Sequence, residues 1–292
     1  MSLFRNTVWF LNGIQHYTYE TASRHFDPHD LDVSVVGRSF MITGANSGIG
    51  RVTAMAIAKK GTVHMVCRDP DKAEEARAEI IRESGNSEVH VHIVDLSETR
   101  KVWEFAEAFR KQYTALNVLI NNAGCMLYKR ELNADGLEKS FATNTMITVS
   151  SGGMLVQKLK TDDLQSENRY FDGVMVYAQN KRQQVVLTRQ WAKAHPAIHF
   201  SVMHPGWVDT PVSTSMPKFH KMMEGRLRTV EQGADTVVWL ALCRATSRTR
   251  SGLFFQRKPI PVHLPLTWTR SSSEDIQCFM GQLEALANAI QS

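Results

Sequence analysis

The chain has only 4 cysteines in 292 residues. Cys67, Cys125, Cys243 and Cys278 lie far apart, with no CxxC pair and no histidine at a ligand spacing, so a structural zinc site is not expected. A disulfide framework is equally unsupported, which points to a reducing compartment. No Asn-x-Ser/Thr sequon occurs, in keeping with a non-secreted protein. Long apolar runs are also missing. None reaches the ~18 residues of a membrane span, and Val8-Trp9-Phe10-Leu11 is too short for a signal-peptide core. No internal repeat, recognition motif or dense basic block accompanies the net charge of +5, so a nucleic-acid partner is not expected. His25 and His29 have no companions, and a metal is not expected there.

What is present is ordinary for a globular chain: 43% hydrophobic and 22% charged residues, with 17 Gly and 9 Pro. One α/β unit can use this much chain. After Gly37, Ser39 to Thr43 forms a short apolar run that predicts a buried strand. Strand-like and helix-like patterns then alternate. Helices are predicted at 49–60, 70–83, 100–112, 135–145, 174–194, 231–242 and 274–290. Strands are predicted at 63–67, 89–94, 117–120, 147–150 and 198–203. Such alternation predicts a doubly wound parallel sheet of Rossmann type, covered on both faces, in a single domain.

The expected organisation is an N-terminal arm (1–36), a dinucleotide-binding body (37–256) and a C-terminal extension (257–292). In the arm, Phe4, Val8, Leu11 and Ile14 fall at helical spacing. An arm packed on the body and a peripheral membrane contact are the two readings. The extension starts with a segment punctuated by Pro259, Pro261 and Pro265, predicted to be irregular.

The first strand runs into Gly44-Ala45-Asn46-Ser47-Gly48-Ile49-Gly50. Three glycines in a strand-to-helix turn allow close backbone approach, and the helix then offers free N–H groups to a pyrophosphate. At the end of the second strand stands Arg68, where a carboxylate would favour the ribose 2′-hydroxyl of NAD. An arginine suits the 2′-phosphate of NADP, with Arg51 and Lys72 adding charge. Asp69, one residue on, keeps NAD as the alternative.

Further motifs follow in order: Asp95-Leu96, Asn121-Asn122-Ala123-Gly124, Asn144, Ser150-Ser151, Tyr177-x-x-x-Lys181 and His204-Pro205-Gly206-Trp207-Val208-Asp209-Thr210. Together with the glycine turn they resemble the short-chain dehydrogenase/reductase family over about residues 37–255. The resemblance implies a nicotinamide dinucleotide held by the turn, Asp95, Leu96, Asn122, Ala123, Gly124, Pro205, Gly206, Val208 and Thr210, besides Tyr177 and Lys181. It implies catalysis by Ser151, Tyr177, Lys181 and Asn144, with Ser151 rather than Ser150 facing the substrate. The chemistry follows from the groups. Hydride addition to a carbonyl leaves an alkoxide that needs a proton. A phenol at Tyr177 can give one, and Lys181, one helical turn away, is expected to lower its pKa. Ser151 would hydrogen-bond the substrate oxygen.

One junction departs from the family. Only three peptide steps separate Asn144 from Ile147, where the fifth strand is expected to begin. Three peptide steps reach at most ~11 Å, whereas a five-residue strand spans ~17 Å. Asn144 and a full fifth strand are therefore not expected to keep their family positions together. The crossover helix is expected to be truncated, with Asn144 displaced and sheet surface exposed, as if a coding segment were skipped.

After the Pro-Gly motif, Met216, Phe219, Met222 and Met223 suggest an adaptable apolar cover for a lipophilic carbonyl or alcohol. A plain anchor for a lid helix is the other reading. The function expected is NADP(H)-dependent oxidoreduction of a small-molecule carbonyl/alcohol pair. The alternative is a catalytically impaired dinucleotide-binding or scaffold protein. Homo-oligomer formation is left open, and the expected compartment is intracellular, in the cytoplasm.

Overall fold

The computed structural model describes residues 19, 23–145, 149–168, 170–214, 220–221, 223–263 and 269–291. The expected arm helix through Phe4 and Ile14, with Met216, Phe219 and Met222, lies outside the described residues.

A parallel sheet sits at the centre. Its first part has the order β3-β2-β1-β4, made of β1 (Ser39–Thr43), β2 (Thr62–Cys67), β3 (Val89–Ile93) and β4 (Val118–Ile120). Phe40 and Ile42 are fully buried on one face beneath α1 (Gly48–Ala58) and α2 (Pro70–Ser84). Met41, Val66 and Val94 face the other way, against Phe105 and Phe109 of α3 (Thr99–Gln112). The run Phe-Met-Ile at β1 is apolar without alternation because helices cover both faces.

Between β4 and the next strands the sheet is reduced to one residue. Val149 donates its N–H to Asn121 O at 2.9 Å and bridges in parallel to Met203 of β5 (Ser201–Met203). The expected strand at 147–150 is thus confined, among the described residues, to this bridge. β5 pairs in parallel with β6 (Leu253–Gln256), and β6 pairs antiparallel with β7 (Lys258–Ile260). β6 was not expected from the sequence, and β7 corrects the expectation of an irregular tail. As an edge strand β7 tolerates Pro259, since a proline lacking an N–H is excluded only from central ladders.

The crossover helix α4 is short, Lys139–Thr145. It begins later than the expected residue 135 because Gly136 is left-handed (φ 76°), and because Glu138 caps the helix by accepting from Ser140 N and Phe141 N. Leu119, in the middle of β4, is 49% exposed, so the sheet is left partly uncovered as expected. The long helix α5 (Gly173–Ala194) packs on α4, and α7 (Val230–Leu242) packs on α1 from the opposite side. The C-terminal helix α8 (Ser273–Gln291) buries Phe279 against Leu159, Val186 and Leu187.

Candidate active site

The site forms where the carboxyl ends of β1 and β4 meet the start of α1. Thr43 Oγ1 accepts from the N–H groups of Asn122 and Ala123, each at 3.0 Å. In return Asn122 Nδ2 donates to Thr43 O at 2.9 Å and Gly44 O at 3.3 Å. The two loops are stitched together by polar groups with no room between them. A Cβ on Gly50 would stand 2.3 Å from Gly44 O, and one on Gly44 3.0 Å from Ala123 Cα. Gly44 (φ 64°) and Gly48 (φ 53°) also adopt the left-handed conformation that glycine tolerates best.

The turn fits a dinucleotide phosphate. Ser47 at the N-cap of α1 makes no side-chain cap, whereas Asp69, Asp172 and Thr229 cap α2, α5 and α7. The first-turn N–H groups of Gly48, Ile49 and Gly50 are left without a capping side chain, and they carry the positive end of the helix dipole. A Cβ at Gly48 would meet only Thr210 Cγ2, at 3.9 Å, so the turn opens into space beneath Thr210. The amides of Ala45 and Asn46 face the Cys67 thiol, whose pKa burial raises.

The three basic residues expected near a 2′-phosphate differ. Arg51 bonds Glu79 at 2.9 Å, and Lys72 pairs with Asp69 at 3.3 Å. Arg68 is exposed and has no ion pair among the described residues. Asp69 is turned toward its own helix as the cap of α2, accepting from Lys72 N. Asp95 accepts from Ser97 N and Ser97 Oγ, and Leu96 packs beside Met41.

On α5, the Lys181 Nζ lies 5.1 Å from the centroid of the Tyr177 ring and donates to Val149 O at 2.9 Å. Burial pushes the Lys181 pKa down to about 7, partly opposed by the nearby Cys125. The Tyr177 pKa is raised, chiefly by burial and then by Cys125. The lowering expected from the sequence drew on Lys181 together with the nicotinamide's charge; among the chain's own groups loss of hydration sets the direction.

Ser150 and Ser151 separate cleanly. Ser150 is buried and donates its Oγ to Lys181 O at 2.9 Å. Ser151 is half-buried at the N-cap of a 3-10 turn (Gly152–Val156), with its Oγ accepting only from Gly153 N at 3.3 Å. His204 is buried, and its Nδ1 accepts from Gly152 N at 2.9 Å, so the ring is neutral. Burial, helped by Arg228, lowers its pKa to about 3.

Asn144 is not displaced as expected. It is fully buried, its Oδ1 accepting from Cys125 N at 3.0 Å and its Nδ2 donating to Cys125 O at 2.7 Å. The same Oδ1 and Lys181 Nζ both border Gly124, at 3.1 and 3.3 Å from the position of a Cβ there. Among the described residues the expected fifth strand is seen only as the bridge at Val149.

The Pro-Gly loop closes the cleft. Gly206 has φ 87°. Val208 packs against Gly233 and approaches Ile49, and Thr210 sits over Gly48. Three groups that act here carry no distinct sequence signal. Arg228 donates to Pro205 O, Gln184 donates to Asn144 O, and Cys125 lies within electrostatic reach of Lys181. Only Gln184 could have been suspected, as it stands three residues after Lys181 on one helix.

Residues 38–221 match the model of the short chain dehydrogenase family. The chain is 60% identical over 314 aligned positions to dehydrogenase/reductase SDR family member 12 from Bos taurus, covering 98% of this chain and 99% of the relative. That span exceeds the 292 residues present, so the bovine protein carries residues that this chain lacks. Human retinol dehydrogenase 12 is 32% identical over 251 residues, 77% of this chain and 79% of the relative. Among solved structures, NADPH-dependent 3-quinuclidinone reductase from Rhodotorula rubra superposes with a TM-score of 0.61 at 21% identity, covering 79% of this chain and 94% of that one.

Proposed function

The chain belongs to the short-chain dehydrogenase family, and from that premise we propose that it is an NADP(H)-dependent reductase of lipophilic carbonyl compounds whose proton donor is Tyr177. It is an oxidoreductase that uses a nicotinamide dinucleotide and acts on small molecules. The preference for NADP rests on Arg68, exposed and free of an ion pair among the described residues, while Arg51 and Lys72 are engaged. The lipophilic substrate rests on similarity to a retinol dehydrogenase and on buried Met223 beside the methionine-bearing segment. For the N-terminal arm the reading taken is packing on the body through Phe26 and Asp30, with a peripheral membrane contact as the alternative. No described helix is long and apolar enough to cross a membrane.

The dinucleotide would be held by the α1 turn, by Asp95, Leu96 and the Asn122–Gly124 loop, and by Pro205, Gly206, Val208 and Thr210. When bound, it supplies the hydride that reduces the carbonyl carbon. Ser151 holds the substrate oxygen through its Oγ, which is committed to only one weak acceptor bond. Tyr177 Oη gives that oxygen its proton. Its raised pKa keeps the phenol protonated through neutral pH, as a donor requires. Lys181 stands against the ring with an ammonium that stabilises the phenolate once the proton has left. Asn144 and Val149 O hold Lys181 and the Gly124 loop in register.

The observation that carries this reading is half-buried Tyr177 beside buried Lys181, whose Nζ meets Val149 O and borders Gly124, next to an uncapped glycine turn. Mixing NADPH with a panel of lipophilic aldehydes and ketones tests it through loss of absorbance at the reduced nicotinamide band. A second reading, a dinucleotide-binding protein with impaired turnover, draws on the exposed Leu119 in β4. It predicts enhanced NADPH fluorescence without substrate-dependent oxidation.

A further inference from the structure

The loop from His204 to Thr210 is held by a residue outside it. Arg228 N donates to Trp207 O at 2.7 Å, and Arg228 O accepts from Asp209 N at 3.0 Å, flanking Val208 on both sides. The side chain then turns back. Its Nη1 donates to Pro205 O at 3.2 Å, and its Nε lies where a Cβ on Gly206 would come within 2.5 Å. One arginine thus fixes three of the four peptides between Pro205 and Asp209 and requires glycine at 206. The two bonds that flank Val208 are main-chain bonds; the side chain adds the contact to Pro205 O and the seat against Gly206, where a planar guanidinium holds its donors fixed relative to one another as a flexible ammonium does not.

The guanidinium has a neighbour from far away in sequence. It lies 5.8 Å from the centroid of the Tyr19 ring. Tyr19 packs edge-to-face on Phe26 at 5.9 Å, and Phe26 is covered by the Arg257 guanidinium at 4.3 Å. Arg257 is bidentate to Asp235 and reaches Asp30, which also accepts from Trp239 Nε1. The N-terminal segment is therefore anchored on α7 and presents Tyr19 to the back of Arg228.

We propose that Arg228 is a positioning residue for the loop His204–Thr210, and that Tyr19 braces its guanidinium, so that the N-terminal segment tunes how tightly the cleft binds a dinucleotide. This rests on the dinucleotide reading of the cleft. Movement of the loop carries Val208 away from Gly233, which it borders together with Ile49, and Thr210 away from Gly48. Arg228 also acts on the serine side. Its charge helps keep His204 neutral, and neutral Nδ1 is the acceptor that holds Gly152 next to Ser151.

The test uses the full chain with Tyr19→Leu, Arg228→Lys and the double substitution. Three quantities are read: NADPH affinity by fluorescence, hydrogen exchange of the amides at 206–209, and the melting temperature. Tyr19→Leu should weaken NADPH two- to fivefold, the ~0.5–1 kcal/mol range of an exposed cation–π contact. Arg228→Lys should weaken it about tenfold, and the double variant no further, because the two act on one loop. Exchange at 206–209 should quicken in each variant while that of β1 and β2 stays unchanged. Variants that melt lower yet bind NADPH and exchange like wild type would show a merely structural contact and overturn the proposal. If the wild type binds no NADPH while loop exchange still rises in both variants, the dinucleotide reading falls and the brace stands.

Discussion

The side chain of Asn144 closes on a single residue, Cys125, accepting from its N–H at 3.0 Å and donating to its carbonyl at 2.7 Å. A buried amide that mirrors the peptide it meets satisfies both groups at once, as a strand neighbour would. This clamp lies next to the bond between Val149 N and Asn121 O that continues the sheet beyond β4. It holds the Gly124 loop against Lys181.

Removing the clamp should be costly. Asn144→Leu leaves the N–H and carbonyl of Cys125 buried without partners, at ~1–3 kcal/mol for each unsatisfied group. Calorimetry should show a melting temperature lowered by several degrees. Asn144→Asp keeps the acceptor for Cys125 N and loses only the donor; its unfavourable carboxylate–carbonyl contact should still cost less than loss of both bonds. Equal stability of Asn144→Leu and wild type would contradict this account of the junction.

Cofactor choice should turn on one exposed side chain. Arg68→Asp should weaken NADPH by at least tenfold and leave NADH unchanged or tighter, because a carboxylate repels a 2′-phosphate and accepts from a 2′-hydroxyl. Titration of both nucleotides by fluorescence reads this directly. Arg51→Ala should do less, since Arg51 is already paired with Glu79.

Acid sensitivity is built into the sheet. His64 on β2 is buried, bonds His92 at 3.0 Å and stacks near His90, Phe109 and Tyr113. Burial, then the charges of His92 and His90, lower its pKa to about 4. The unfolded chain takes up this proton as pH falls below 6.5, the folded chain only near 4. Stability is therefore complete above 6.5 and declines between 6.5 and 4. His204, lowered to about 3, adds to the same decline. His64→Phe should flatten the fall in melting temperature over that window. An unchanged slope would remove His64 as a cause.

The elements of the first half were legible because apolar runs and helical periodicity are local signals: β1, α2 and α3 end within about one residue of their expected bounds. The cofactor turn was legible because three glycines mark backbone that a Cβ would block, as Gly50 shows. The losses are non-local. β6 forms by pairing with β5 and β7 by pairing with β6, and Pro259 hides an edge strand. Asn144 keeps its place through a contact with Cys125, which no spacing encodes. Arg228 owes its role to Gly206, 22 positions earlier. The direction of the Tyr177 pKa shift depended on burial, which sequence proximity to Lys181 does not report.

The most direct measurement compares wild type with Tyr177→Phe in NADPH oxidation driven by a lipophilic aldehyde, with NADPH binding followed by fluorescence in parallel. Wild type should oxidise NADPH only when the carbonyl is present. Tyr177→Phe should bind NADPH within about threefold of wild type while turnover falls by ~10²-fold or more, the usual contribution of a positioned proton donor. A Tyr177→Phe protein that reduces the aldehyde at the wild-type rate would contradict the assignment of Tyr177 as the proton donor.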